Sequence, residues 1–540
     1  MDYKRNYMSW LKNKEISENE HEELKNLDDK DIKEFFGKNI EFGTAGLRGI
    51  MRLGTNSINL YTIRLAAKGL SMTLNCGDSV VIAYDTRNNS RDYAFESARV
   101  LAADGKKVYL FDEYSPVPLL SYAIRKLNAD AGIAITASHN TKEYNGFKAY
   151  DNFGCQITEE LATQISNNMR SVDNIFDIKV SKRGNNNIMA LGRQLYDCFI
   201  SDVLGCSVYS DVQAKEKLSI VYTPIHGSGL FFVKEALIRD GFKGIEYVDE
   251  QCDYNGEFYT VKKPNPEDKS ALKMAGEKAC DINADLIIGT DPDCDRVGVA
   301  IQNNGKVIYF SGNQIGALLV DFLVHKRECK GKTLITTVVT GDLGSDIGKK
   351  KGLNVIKTLT GFKYIGSVIN EMNSNDFFMG YEESYGYLVG SHARDKDGVS
   401  AALVICEMTA YYKAHGMTLA DRLKEIYDEY GYYLDAQDSF IYEGVDAVEC
   451  MEEVVNRIRY NYESILYDFD IREMQDFSNG FDSFPSANLL KIILGNGSWI
   501  AIRPSGTEPK VKCYYCIKNR NKESAEKMYM NLRSVISNIF

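Results

Sequence analysis

One pattern of elements recurs three times along this chain, and it constrains the fold more than any single motif. The spacing predicts a strand over Val80–Tyr84, a polar turn, a helix over Arg91–Ala103 and a strand over Lys107–Phe111. The same order returns as Ser219–Tyr222, the turn His226-Gly227-Ser228-Gly229, Phe231–Arg239 and Gly244–Val248. It returns again as Thr333–Val338, Thr340-Gly341-Asp342, Leu343–Lys350 and Asn354–Lys357. Each unit is followed by one more apolar strand that runs into an unusual loop: Ala131–Ile135 into Ser138, Ala284–Ile288 into Asp291, and Phe377–Met379 into Glu382. Alternating strands and helices imply layered α/β domains, and such sheets place chemistry at the carboxyl ends of their strands. Three units that each deliver one loop to a strand end imply three similar α/β domains with mixed sheets, facing a central cleft.

The rest of the chain reads differently. Residues Asp2 to Phe36 are rich in Glu and Lys with periodic apolar positions (Tyr7, Trp10, Leu11), which predicts one or two amphipathic helices packed on the first domain. After the third unit, strands over Leu489–Leu494 and Trp499–Ile502 flank the hairpin turn Gly495-Asn496-Gly497-Ser498, with a strand over Lys510–Ile517 and a helix over Glu523–Ile539. This is a C-terminal α+β domain. The expected division is a helical extension (1–38), domain I with the serine loop (39–200), domain II with the Asp loop (201–310), domain III with the Glu loop (311–440) and domain IV (441–540). A length of 540 residues accords with several cores.

Composition excludes some classes. No apolar run approaches the roughly 18 residues of a membrane span, and the charged N-terminus is unlike a signal peptide, so no membrane partner and a cytoplasmic location are expected. Twelve irregularly spaced cysteines read as free thiols, and the lone Cys513–Cys516 pair is a poor zinc site. A net charge of −11 argues against nucleic acid, while an anionic small molecule needs only a few converging cations.

The loops supply the chemistry. Asp291, Asp293 and Asp295 alternate, so their carboxylates can converge on one hard cation. An EF-hand would need Gly and Glu where Arg296 and Gln302 stand, whereas three carboxylates with room for a phosphate oxygen suit Mg2+. The loop Thr136-Ala137-Ser138-His139-Asn140 lacks the Gly-x-Ser-x-Gly elbow of acyl transfer, and with a metal loop nearby Ser138 reads as a phosphoryl carrier. His139 adjoins it, and Lys148, beyond the turn Asn145-Gly146, is a candidate proton donor or acceptor. Arg48, in Gly43-Thr44-Ala45-Gly46-Leu47-Arg48-Gly49, and the loop Arg503-Pro504-Ser505-Gly506-Thr507 offer anion cradles, with Lys512 on the next strand. Glu382, Glu383 and Ser384 can accept sugar hydroxyls, and Arg394 to Gly398 adds charge nearby.

Taken in this order, over about Asn39–Ile517, these motifs resemble those of the α-D-phosphohexomutase family. The resemblance implies a heart-like arrangement of four domains, with Ser138 as the phosphoserine and Ser138, Asp291, Asp293 and Asp295 as ligands of one Mg2+. It implies Arg48 and Arg296 beside the phosphoserine, Lys148 as general acid/base, Glu382 and Ser384 on the sugar hydroxyls, and Thr360 and Gly361 in the third-domain substrate loop. From the residues alone, His139 is a further candidate base or a residue that orients the serine loop, and Lys396 a further cation for substrate. Arg503, Ser505, Gly506 and Thr507 would hold the phosphate that does not react. The implied activity interconverts glucose 1-phosphate and glucose 6-phosphate through glucose 1,6-bisphosphate, in a monomer or homodimer. A mannose or pentose phosphate substrate, and a sugar-phosphate sensor without catalysis, are the alternatives. A haloacid-dehalogenase-type phosphatase would need Asp-x-Asp-Gly-Thr, which is absent. Two departures stand out: Tyr385-Gly386-Tyr387 replaces a His-containing loop found in some members, with His392 as a candidate substitute, and Lys512 stands where an Arg is frequent.

Overall fold

The computed structural model describes residues 2–43, 46–442, 447–504 and 510–540. In chain order its strands are β1 (Leu47–Ile50), β2 (Ser79–Tyr84), β3 (Lys107–Phe111), β4 (Ala131–Ile135), β5 (Tyr144–Tyr150), β6 (Ile188–Leu191), β7 (Ser219–Thr223), β8 (Gly244–Tyr247), β9 (Leu286–Thr290), β10 (Val297–Asn303), β11 (Lys306–Phe310), β12 (Thr333–Thr337), β13 (Asn354–Thr358), β14 (Phe377–Glu382), β15 (Gly386–Leu388), β16 (Tyr432–Ile441), β17 (Ile471–Asp476), β18 (Leu490–Leu494), β19 (Trp499–Pro504) and β20 (Lys510–Asn519).

The threefold repeat is a repeat of topology. The sheet orders are β1-β5-β4-β2-β3-β6, β11-β10-β9-β7-β8 and β13-β12-β14-β15. Within each, the first strand of the unit pairs in parallel with the second and third, and the third pairs antiparallel with a fourth. Crossover helices connect the parallel strands: Ser90–Ala103 and Val117–Leu127, Gly229–Arg239 and Lys273–Ile282, Leu343–Lys350 and Phe362–Glu371. Strands buried on both faces read as unbroken apolar runs, which is how Val80–Tyr84 and Ala131–Ile135 are visible in the sequence. The short edge strands β1, β6 and β11 and the return strands β5, β10 and β15 were not among the predicted strands.

The turn from third to fourth strand carries the special loop in every unit. Each such loop contains a non-glycine residue in the left-handed region: Ser138 at φ 53°, Cys294 at φ 52° and Tyr385 at φ 65°. That conformation costs about 1–2 kcal/mol per residue and persists only where the surroundings enforce it.

The C-terminal sheet, β16-β20-β19-β18-β17, is antiparallel, and β16 pairs with β20 from Tyr432↔Asn519 to Ile441↔Lys510. One apolar core runs through all of this, from Phe111 and Phe199 through Phe232 and the helix Gly398–Ala414 to Trp499 and Tyr514. The N-terminal segment forms three helices, Tyr3–Leu11, Glu18–Lys25 and Asp29–Phe36, instead of the one or two expected, because Asp2, Ser17 and Asp28 each cap a new start. They bury Trp10, Leu24 and Phe36 against Leu53, Tyr61 and Phe176 of the first unit. Among the described residues no helix is long and apolar enough to cross a membrane.

Candidate active site

The serine loop and the Asp loop meet. Ser138, buried at the end of β4, places Oγ 3.1 Å from Asp291 Oδ2 and 3.1 Å from His139 Nδ1. Asp291, Asp293 and Asp295 are all buried, and one carboxylate oxygen from each lies within 4.8 Å of the other two. Asp293 Oδ1 and Asp295 Oδ1 are buried without a hydrogen-bond partner. Buried carboxylate oxygens without a hydrogen bond are costly unless a cation meets them; Arg296 Nε stands 3.8 Å from Asp295 Oδ1, and the three converging carboxylates fit a hard divalent ion. Burial, then the charges of Asp293 and Asp295, push the Asp291 carboxyl well above its usual range.

Backbone contacts fix the metal loop. Val117 N–H at the start of a first-unit helix donates to Asp293 O (2.9 Å), and Ser228 N–H donates to Pro292 O (2.9 Å). Gly398 N–H reaches Cys294 O (3.1 Å), and Val297 N–H reaches Tyr385 O (3.0 Å), which ties the second loop to the third.

Lys148 was expected beyond a turn at Asn145-Gly146 that brings the chain back towards the serine. Those two residues lie within strand β5, and Lys148 stands on it opposite Ala134 of β4, in a strand that is almost wholly buried and pairs throughout. Its Nζ binds Asp293 Oδ2 at 2.8 Å, so its direct partner is a metal-loop carboxylate. Arg48, exposed on β1, donates to Asn140 Oδ1 (3.0 Å) at the rim of the serine loop. Arg296 pairs with Glu267, and its backbone N–H donates to Asp291 Oδ1 (3.0 Å). Burial first, then Arg296, Arg48, Lys263 and Lys148, hold His139 well below the usual imidazole range, so its ring is neutral in a strongly cationic corner. Such a corner suits a phosphate dianion.

On the facing side, Glu382 ends β14 and accepts from Gly361 N–H (2.8 Å), where Gly361 takes φ 121°. Burial, against the pull of Lys396, raises the Glu382 carboxyl to about 7. Thr360 Oγ1 is buried and unpartnered, so it too is free to take a ligand. Ser384 is half-buried in the same turn. Lys396 bridges Asp295 (3.1 Å) and Asp395 (3.0 Å), which places it between the sugar loop and the metal loop. Glu383 points away, accepting from Thr340 Oγ1 (3.1 Å) and Thr337 Oγ1 (3.3 Å).

Arg503 on β19 is the cross-strand partner of Lys512 on β20, so both side chains share one face. Burial lowers the Lys512 ammonium, within the field of Glu267 and Glu383. Ser505, Gly506 and Thr507 lie outside the described residues. His392, the candidate substitute in the sugar loop, is buried with Nε2 on Asp397 (2.7 Å) and its ring against Phe199, so it serves the packing of the helix that Asp397 caps.

Profiles of the four domains described as phosphoglucomutase/phosphomannomutase match residues 39–175, 197–305, 311–430 and 463–526. The phosphoglucomutase of Staphylococcus haemolyticus is 34% identical over 516 residues, 92% of this chain and 93% of that protein. The chain belongs to the phosphoglucomutase/phosphomannomutase family. The phosphoglucomutase of Staphylococcus aureus strain MRSA252 is 34% identical over 90% of this chain and 91% of its own. Among solved structures, the open form of pp63/parafusin, a phosphoglucomutase from Paramecium, aligns with a TM-score of 0.70 at 18% identity over 93% of this chain and 95% of that one. A phosphoglucomutase/phosphomannomutase family protein from Burkholderia thailandensis aligns at 0.69 and 15%, over 92% and 97%. As a phosphohexomutase, the chain is an isomerase that works by intramolecular phosphoryl transfer.

Sequence reasoning missed Asp85 and Arg87, both buried beneath the serine loop. A charged Asp-Thr-Arg directly after the all-apolar strand β2 was the available signal.

Proposed function

We propose that this mutase interconverts glucose 1-phosphate and glucose 6-phosphate, with Ser138 as the phosphoryl carrier and Mg2+ held by Asp291, Asp293, Asp295 and Ser138. The observation that carries the reading is Ser138 Oγ at 3.1 Å from the head of a carboxylate triad with two orphaned oxygens. The names of the staphylococcal relatives support glucose phosphate as substrate. Bound there, Mg2+ would neutralise charge developing on the transferring phosphoryl group.

The chain's own residues do the rest. Phosphorylated Ser138 gives its phosphoryl group to the free hydroxyl of the sugar: the Oγ–P bond breaks, the sugar O–P bond forms, and the hydroxyl proton leaves. His139, neutral beside Oγ, and Lys148, held by Asp293, are the groups placed to relay that proton. Glu382, Ser384, Thr360 and Gly361 orient the ring, and Arg48 and Arg296 stabilise the phosphoryl group in flight. Arg503, with Ser505, Gly506 and Thr507, holds the other phosphate. Glucose 1,6-bisphosphate then reorients, and the second phosphoryl group returns to Ser138.

Turnover of glucose 1-phosphate, mannose 1-phosphate and ribose 1-phosphate by wild type and Ser138→Ala tests this, with and without a chelator. Glucose 1-phosphate is expected to be preferred, and the variant to lose ~10⁴-fold or more in kcat. A variant with full Mg2+-dependent turnover would remove the phosphoserine, and a clear preference for ribose 1-phosphate would remove the hexose.

A further inference from the structure

The reactive serine sits in a strained conformation, and something must hold it there. Ser138 has φ 53°, and its loop is bonded from below by one side chain, Arg87, which is 2% exposed. Arg87 Nη2 donates to the carbonyls of Ser138 (2.6 Å) and Asn140, and Nη1 donates to those of Thr141 (2.8 Å) and Tyr144 (3.0 Å). The other end of the serine is held as well. Its N–H donates to Thr136 Oγ1 (2.8 Å), which in turn donates to Asp85 Oδ2 (2.6 Å). Asp85 also lies 3.3 Å from Arg87 Nε. One buried ion pair therefore grips both sides of Ser138 without touching its hydroxyl.

We propose that Arg87, backed by Asp85, is a positioning residue that sets the Ser138 loop so that Oγ faces the metal triad. This rests on the reading of Ser138 as the phosphoryl carrier. Only a planar guanidinium can serve four carbonyls at once; a Lys ammonium is a compact point charge with three donors. A buried cation facing neutral carbonyls is costly, and burial lowers the Arg87 pKa against the support of Asp85. Proteins retain such groups where they specify one geometry, and here the specified geometry is that of the nucleophile.

The second unit closes the clamp from outside. The Phe258 ring lies 5.0 Å from the guanidinium, and Glu257 binds both Asn88 Nδ2 (2.6 Å) and Lys142 Nζ (2.8 Å), the latter within the serine loop. Gly256 is required there, since a Cβ would fall 2.3 Å from Asn88 N. The unit that carries the triad thus also braces the loop that must face it. A cavity of about 440 Å3, lined by Thr86, Arg87, Arg91, Tyr114 and Tyr254, reaches the clamp from solvent.

Because Arg87 bonds neither sugar nor hydroxyl, its loss should strike kcat and spare KM. A small displacement of a reacting group is worth about 100-fold. Arg87→Ala is expected to lower kcat by about that factor, with KM for glucose 1-phosphate within about threefold. Phosphorylation of Ser138 by glucose 1,6-bisphosphate, followed by mass spectrometry, should slow in parallel. Low-millimolar guanidinium, entering by the cavity, should restore at least about tenfold, whereas urea should not. Unchanged kcat, or a loss confined to KM, overturns the proposal.

If Arg87→Ala does not fold, Arg87→Lys decides: a lowered kcat at unchanged KM supports the clamp, and wild-type kcat overturns it. If wild-type Ser138 never takes a phosphoryl group, the phosphoserine reading fails on its own. Amide exchange at 138–144 then still judges the clamp, faster exchange in Arg87→Lys supporting it and unchanged exchange refuting it.

Discussion

The first two units and the C-terminal unit are attached to the molecule in opposite ways. Backbone hydrogen bonds fix the metal loop against the first and third units, Val117 N–H to Asp293 O and Gly398 N–H to Cys294 O among them, and the buried Arg87 holds the serine loop. The C-terminal sheet contributes Trp499 and Tyr514 to the apolar core, but its polar attachments to the third unit run through side chains. Trp499 Nε1 donates to Asp342 Oδ2 (2.6 Å), Lys491 Nζ to Val338 O (2.7 Å), Tyr433 OH to Asp346 (2.5 Å), and Lys518 pairs with Asp346 (3.0 Å). Backbone bonds between packed elements hold one geometry. Among the side-chain attachments, the partly exposed Lys518–Asp346 pair can exchange its partner for water at modest cost, whereas Lys491, Trp499 and Tyr433 are buried. The loops proposed as the reacting centre are fixed by backbone bonds and a buried guanidinium, and the part expected to grip the second phosphate is held partly by a charged contact that can be remade.

The largest test of that division lies in the triad. Asp293→Asn removes a charge on which both the cation and Lys148 depend, and about a 10³-fold fall in kcat is expected, with a rise in the Mg2+ concentration needed for half-maximal rate. Titrating the rate with Mg2+ checks it. Near-normal turnover in this variant would mean that the triad is not the reacting centre.

A middle-sized effect is expected at Glu382, on the sugar side. Burial raises its carboxyl to about 7, so half the molecules carry the proton near neutrality. If the ionised form accepts sugar hydroxyls, KM should rise by about tenfold for each pH unit below 7, and Glu382→Gln should abolish that slope. The stability sign is opposite to that of a salt-bridged acid. Between the ordinary carboxyl pKa and 7 the folded chain binds the extra proton, so this group costs stability as pH rises through that window. A KM profile flat from pH 6 to 8 in the wild type would rule out the carboxylate as sugar ligand.

The repeat and its loops were legible because burial on both faces produces uninterrupted apolar strands, and because Ser138, Asp291 and Glu382 interrupt them with polar chemistry. Less was visible where pairing replaces hydrophobicity. Strand β16, Tyr432–Ile441, alternates half-exposed residues and owes its form to ten-residue pairing with β20, a partner some seventy residues on. Lys148 looked like a loop residue because Asn145-Gly146 reads as a turn; in the folded chain Asn145 spends its side chain on Asn88 O (3.1 Å) and Ser90 Oγ (3.0 Å), and the strand continues through it. Arg87 was missed because Asp85-Thr86-Arg87 after an apolar strand reads as an ordinary charged turn, while the carbonyls it binds lie 51 to 57 residues further on. His392 misled for the reverse reason, since a lone histidine near a functional loop looks reactive until its Asp397 partner and buried ring are placed.

The smallest effect should come from the third-unit contact of the C-terminal sheet. Asp342 pairs with Lys357 and accepts from Trp499 Nε1; against burial, the charges of Lys357 and Lys491 hold its carboxyl at about 2. Its folded pKa lies below the unfolded one, so its contribution is present above pH 4 and is lost as pH falls from about 4 to about 2. Asp342→Asn keeps an oxygen for Trp499 but releases Lys357 and removes the charge that attracts Lys491 of the C-terminal sheet, at a cost of about 1 kcal/mol for the partly exposed Lys357 pair. Because no group at the reacting centre is touched, kcat should change by less than about threefold. Small-angle scattering is the sensitive readout: wild type should expand as salt rises from about 0.05 to about 0.5 M, and the variant should be more expanded at low salt and respond less to added salt, since Lys518–Asp346 remains. If the variant scatters like wild type at every salt concentration, the charge of Asp342 does not hold this unit in place, and the attachment rests on the apolar contact of Trp499 and Tyr514 with the bonds of Tyr433, Lys491 and Lys518. The C-terminal sheet would then not depend on this charge for its position, and the reorientation proposed for the bisphosphate would have to do without its release.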